Sequence, residues 1–356
     1  MVLLFLTIAV FILAMINIKE GSFRSLSAVK VDRDPLSKSY TSILRNLFSI
    51  FIFFCHGSTS LFFVYPWYTN LFYFGIGYLA TSYFFFISGY GIYTSVMKKD
   101  DFSAKFLKNN IIPLIINLGI ATIIKIIVKC IITRQFSLIQ IIRWFFSLDL
   151  IDPSHWFLVT LMAIYTFFFL IHRFFPRYCL AIVAVLYLLT YIVMFALGIK
   201  NKNWMLSPPS WLVGAVTAKH LPRIRAFTSK HYIAALIILT GMSAGVWVTL
   251  LFTKYENSSN WYFRIVQMIA SAAFPLWVTL VSEKIRIGNF FLAIGDFSIG
   301  LYIIHPLINM PFEKFPLTST PYGAVISVLL FIAAVIIGRM YTKFFAFIRK
   351  KIVMRI

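Results

Sequence analysis

An arginine and a histidine eleven residues apart are the first pair in this chain that could do chemistry. They stand in the stretch Arg45-Asn-Leu-Phe-Ser-Ile-Phe-Ile-Phe-Phe-Cys-His56. In an α-helix eleven steps make about 1100°, some 20° past three full turns, so both side chains share one face, about 16 Å apart along the axis. Ser49 and Thr59 lie close to the same stripe. Histidine is the side chain best suited to accept a proton near neutral pH. Arginine presents a planar fork of donors that suits phosphate. A structural reading stays open beside this one: an arginine that snorkels to an interface and a histidine bonded to a neighbouring helix.

Two further stretches carry polar groups on apolar segments. In Phe84-Phe85-Phe86-Ile87-Ser88-Gly89-Tyr90-Gly91 the residue Ser88 falls in a stripe with Thr81 and Ser95, each spaced by seven. Its glycines would let a second backbone or a thin ligand approach closely. In Gly295-Asp-Phe-Ser298-Ile-Gly-Leu-Tyr302-Ile-Ile-His305-Pro306, the residues Ser298, Tyr302, His305 and Asn309 recur at four, three and four and share one helical face. Asp296 falls on the opposite side of a continuous helix there. Hydrogen bonding between helices would also account for such a stripe.

The elements that must position these groups follow from composition. Of 356 residues, 60% are hydrophobic and only 12% charged, against roughly a quarter charged in soluble domains. That balance excludes a soluble domain and a disordered chain. Apolar runs of about 20 residues recur, the length of a membrane span, and they are continuous rather than alternating, which excludes a β-barrel. The expected fold is all-α: a polytopic transmembrane bundle of about eleven helices. They are placed at 1–17, 41–63, 72–96, 111–128, 154–171, 179–198, 204–218, 232–252, 263–282, 291–308 and 322–345. Met1 to Ile16 lacks the basic start of a cleaved signal and is read as a retained first helix. Residues 136–146 could lie along the interface. Cys55, Cys130 and Cys179 have neither metal-ligand spacing nor a disulfide pattern, and no metal is expected.

A net charge of +22 could suggest nucleic acid. The distribution argues otherwise. With the N-terminus outside and the C-terminus cytoplasmic, 24 of the 33 Lys and Arg fall on the cytoplasmic side. That asymmetry requires segment 204–218 to span despite Pro208-Pro209, as a broken helix beside a polar cavity. The partners expected are a bilayer and no nucleic acid. Lys105 and Lys108 lie in the cytoplasmic loop before Pro113, which could attract a phosphate-bearing cofactor or simply mark topology.

Four motifs, in order, resemble those of the acyltransferase-3 family of integral membrane acyltransferases. They are Arg45-x10-His56, the Phe84 to Gly91 stretch with its Phe-Phe-x-x-Ser-Gly, His155-Trp156-Phe157-Leu158, and Gly-x-x-Ser-x-x-x-Tyr-x-x-His from Gly295 to His305. The resemblance covers 41–345. It divides the chain into an N-terminal helix and basic loop (1–40), a ten-helix acyltransferase domain (41–345) and a basic tail (346–356). It implies transfer of an acyl group, usually acetyl, from cytoplasmic acyl-CoA to a hydroxyl of a cell-surface or lipid-linked polysaccharide, such as O-antigen or capsule, at a bacterial inner membrane. His56 and Arg45 would be catalytic, and Arg45, Lys105 and Lys108 would hold acetyl-CoA. Ser88, Trp156, Ser298, Tyr302 and His305 would line the cavity, with Ser88 or Tyr302 donating to the developing oxyanion. Where the family often has Lys-x-x-Arg-x-x-Arg-Ile-x-Pro, this chain has Lys105, Lys108, Asn109, Asn110 and Pro113. A glycan transporter, flippase or polymerase is the rival class, although the chain shows no paired repeats with matching broken helices.

Overall fold

A computed structural model describes residues 2–17, 34–58, 67–97, 106–134, 137–146, 149, 151–152, 154–197, 206–253, 261–285, 287–312 and 322–353. The described elements are all helical, as the apolar runs require. In chain order the α-helices are α1 (Val2–Met15), α2 (Lys38–Gly57), α3 (Trp67–Met97), α4 (Ile112–Thr133), α5 (Leu138–Phe145), α6 (Trp156–Phe174) and α7 (Cys179–Ala196). They continue with α8 (Pro209–Lys230), α9 (Tyr232–Thr253), α10 (Trp261–Ser282), α11 (Phe290–Ala293), α12 (Ser298–Asn309) and α13 (Gly323–Val353). Every expected span has a counterpart.

Among the described residues, six helical segments are long and apolar enough to cross a membrane. They include α4, α6, α7, α9, α10 and α13, and they leave apolar side chains such as Ile123, Leu188, Ile192, Ile237 and Ile336 exposed. Such a surface suits lipid and not water. Helix α2 is different. It buries fifteen of its twenty residues, so its more polar sequence sits inside the bundle. There it packs against α3 and α12.

Two expected helix placements are corrected. The segment expected at 204–218 begins its regular helix only at Pro209 and runs on to Lys230. The Pro208-Pro209 pair therefore starts a helix, where a missing N–H costs nothing. The kink falls instead at His220, just before Pro222. The segment expected as one helix over 291–308 is two. Gly295 adopts φ +88, a conformation that breaks the run between α11 and α12. Asp296 consequently lies in the connecting turn and not on a helix opposite His305. The interfacial stretch forms the short helix α5, which has no buried residue. Its Arg143 binds Asp149 at 2.7 Å and holds that carboxyl below the usual carboxylate range.

The glycines of α3 admit a backbone. A Cβ on Gly89 would collide with the Trp211 carbonyl, and one on Gly214 with the Phe86 carbonyl. Helices α3 and α8 thus cross in direct main-chain contact, as small residues allow in membranes. Gly89→Val should lower stability by ~1–3 kcal/mol, read as an earlier thermal unfolding midpoint in detergent, while Gly91→Val, which meets open space, should not.

Candidate functional site

Helices α2 and α12 carry the two polar stripes, and the fold lays them side by side. At one end Arg45 Nη2 meets Asp296 Oδ2 at 3.1 Å. At the other end the rings of His56 and His305 lie 4.9 Å apart, tilted by 37°. The register between the helices is fixed by Asn46, which is fully buried. Its Nδ2 donates to the carbonyls of Phe291 and Gly295 at 2.9 and 3.0 Å, and its Oδ1 accepts the Phe297 N–H at 3.1 Å. Asp296 completes the turn by accepting the Ser298 N–H and hydroxyl at 3.1 and 2.8 Å. Asn46→Ala would strand two buried backbone groups and the partly buried Gly295 carbonyl, at a cost of roughly 2–3 kcal/mol. The measurements are thermal unfolding and protease cleavage at 294–297.

Two cavities follow the stripes. One, of 350 Å³, is lined by Lys38, Thr41, Arg45, Ser88, Tyr165 and Ser298 among others. The second, of 150 Å³, is lined by Cys55, His56, Tyr78, Thr81 and Trp156 among others. Tyr302 lines both. The consecutive residues Trp156 and Phe157 divide between them, one to each cavity. His56 lies deep in the bundle yet keeps exposed surface, unlike its buried neighbours 51–55 and 57–58. It opens onto the smaller cavity.

The hydrogen bonds define what each group can do. The Tyr302 hydroxyl donates to the Ser154 carbonyl at 2.7 Å. A phenol has one proton, so Tyr302 in this state accepts but does not donate to an oxyanion. Ser88 Oγ pairs with the Tyr165 hydroxyl at 2.8 Å, and one of those two keeps a proton free for the larger cavity. His305 Nδ1 lies 3.2 Å from the Leu301 carbonyl, which can only accept, so Nδ1 carries the proton. Its Nε2 lone pair has no partner among the described residues. The buried Ser298 lines the larger cavity. Lys105 lies outside the described residues. Lys108 sits in the π-helical turn Leu107–Ile111 that precedes α4 and lines neither cavity, whereas Lys38 does.

Residues that composition and spacing did not single out stand behind the histidines. Lys125 of α4 and Asp152 form an ion pair at 2.6 Å, with side chains only 1% and 5% exposed. Asp152 Oδ1 accepts the Ser154 N–H at 2.8 Å and also the Ser154 hydroxyl. His155 Nε2 lies 3.3 Å from Thr122 Oγ1, whose own proton goes to Leu118. Charge counting placed Lys125 at an outer helix end. The available signal was an ionisable residue inside an apolar run, which is costly unless paired.

A sequence model of the acyltransferase-3 family, described as an acyltransferase domain, matches residues 39–340. No curated protein and no solved structure matches the chain. The matched region contains all four motifs and every residue that lines the two cavities except Lys38, which just precedes it. The chain belongs to the acyltransferase-3 family and is an integral membrane acyltransferase.

Proposed function

We propose that the chain moves an acyl group, acetyl in the simplest case, from cytoplasmic acyl-CoA to a hydroxyl of a cell-surface or lipid-linked polysaccharide such as O-antigen or capsule. The carrying observation is the pair of cavities that share Tyr302, one lined by the cations Lys38 and Arg45 and one by His56; His305, expected to line a cavity, lines neither and lies against the His56 ring instead. Arg45 and Lys38 give the larger cavity its positive charge, which suits the phosphates and carbonyls of an acyl-CoA. The distance of about 16 Å along α2 from Arg45 to His56 is one that a slender extended arm such as pantetheine can bridge. Lys105 and Lys108 are candidates for the nucleotide phosphates beyond the cavity mouth. The excess of Lys and Arg on one side supports a cytoplasmic donor side, with the N-terminus outside and the C-terminus cytoplasmic; a bacterial inner membrane is the bilayer that the family resemblance implies.

In this reading the acceptor hydroxyl enters the smaller cavity. His56 removes its proton as the oxygen attacks the thioester carbonyl. The tetrahedral intermediate then expels the CoA thiolate, which takes up a proton. The C–S bond is broken and an ester C–O bond is formed. His305, its Nδ1 proton committed to Leu301, adds a second lone pair beside His56. Low dielectric inside the bundle strengthens any hydrogen bond to the oxyanion. The test is transfer of label from [acetyl]-labelled acetyl-CoA to glycan in proteoliposomes holding the protein. Ester-linked label on the glycan is the expected result. Glycan crossing or chain growth without consumption of acetyl-CoA would overturn the reading in favour of a transporter or polymerase.

A further inference from the structure

We propose that the buried Lys125–Asp152 pair is a positioning device that sets the passage between the two cavities by fixing Tyr302. This inference rests on the acyl-transfer reading above. An ion pair buried inside a membrane bundle is a poor source of stability. Its desolvation cost is comparable to its attraction, and apolar residues of similar size commonly replace such pairs without loss. The pair therefore calls for another explanation, and its connections supply one.

The chain of contacts is continuous. Lys125 holds Asp152 Oδ2 at 2.6 Å. Asp152 Oδ1 takes both the N–H and the hydroxyl of Ser154. The Ser154 carbonyl takes the proton of Tyr302 at 2.7 Å. One turn further along α4, Lys129 Nζ donates to the Ile151 carbonyl at 2.7 Å, so the stretch that carries Asp152 is anchored to α4 at two points. Tyr302 ends this chain and is the residue common to both cavities. Its ring is further flanked by Phe157 at 5.0 Å and His305 at 5.5 Å. With the hydroxyl tied to Ser154, the ring cannot swing across the junction. Lys125 and Asp152 line neither cavity, so they act through Tyr302 and not on substrate.

The experiment replaces the pair as a unit. Lys125→Met/Asp152→Leu keeps volume and removes both charges. The proposal expects a protein that reaches the membrane at wild-type level with an unchanged unfolding midpoint. Its kcat for acyl transfer should fall at least tenfold, while its KM for acetyl-CoA, set at the Arg45 cavity, stays within twofold. Wild-type kcat in the double variant would overturn the proposal and leave the pair a structural feature. Tyr302→Phe removes the same link at its far end without touching the ion pair. It should reproduce the loss of kcat, and adding it to the double variant should cause little further loss. Full activity in Tyr302→Phe, or fully multiplicative effects, would overturn the proposal even if the double variant failed to fold. Failure of the wild-type protein to transfer label, by contrast, counts against the acyl-transfer reading itself.

Discussion

His56→Ala is expected to reduce acyl transfer by roughly 10²–10⁴-fold, the range that a positioned acid–base group contributes, with normal protein in the membrane. The structural basis is asymmetric. His56 faces a cavity and keeps exposed surface, so truncation empties no packed core. Its ring lies against that of His305 and makes no hydrogen bond among the described residues that the fold would miss. The same substitution removes the one imidazole that opens onto the smaller cavity. His56→Gln is the companion variant, since it keeps volume and hydrogen bonding but cannot take a proton near neutral pH. Both are measured as label transferred per protein in proteoliposomes. Wild-type transfer by either would sink the assignment of His56 as the base. A selective loss that spares acetyl-CoA binding would place His56 in the chemical step.

Arg45→Ala is expected to act on the donor instead, lowering kcat/KM for acetyl-CoA about 10–100-fold, or roughly 1.4–2.7 kcal/mol. Arg45 pairs with Asp296 at 3.1 Å, but both side chains are about a third exposed, at 33% and 34%. A pair so open to solvent adds little to stability. Loss of the arginine should therefore appear in KM before it appears in folding. Arg45→Lys keeps the charge and loses the planar fork, and an intermediate KM is expected. Asp296→Asn separates the two roles of the arginine. If Arg45 contacts the donor, releasing it from Asp296 should leave KM unchanged or lowered. A rise in KM as large as that of Arg45→Ala would show that the pair matters only for the shape of the 294–297 turn.

Much of this architecture was legible in the chain. Continuous apolar runs dictate membrane helices, because lipid leaves backbone groups no other partner. The eleven-residue spacing puts Arg45 and His56 on one face whatever surrounds them, and the 298–309 stripe follows from the same 3.6-residue period. Both features depend only on neighbours along one helix. The break at Gly295 was not legible, because a glycine in a helical pattern ends the helix only when its surroundings hold φ positive, and here Asn46 from another helix does so. The prolines at 208–209 looked like an internal break for the same reason: sequence alone did not show where the helix began.

The tertiary structure decided which polar groups meet. Periodicity gave Tyr302 a face but not the Ser154 carbonyl that takes its proton, and so the oxyanion role expected of it fell away. Charge counting alone makes Lys125 a topology charge; the fold places Asp152, 27 positions along the chain, beside it. Asn46, next to Arg45, carries no motif or spacing signal of its own, although it ties α2 to the turn that carries Asp296. In a medium without water, each buried donor or charge must find a partner within the protein. The sequence by itself determined that Lys125, Asn46 and Tyr302 needed partners. Which partners they took depends on helices brought together from distant parts of the chain, and only the folded bundle sets that geometry.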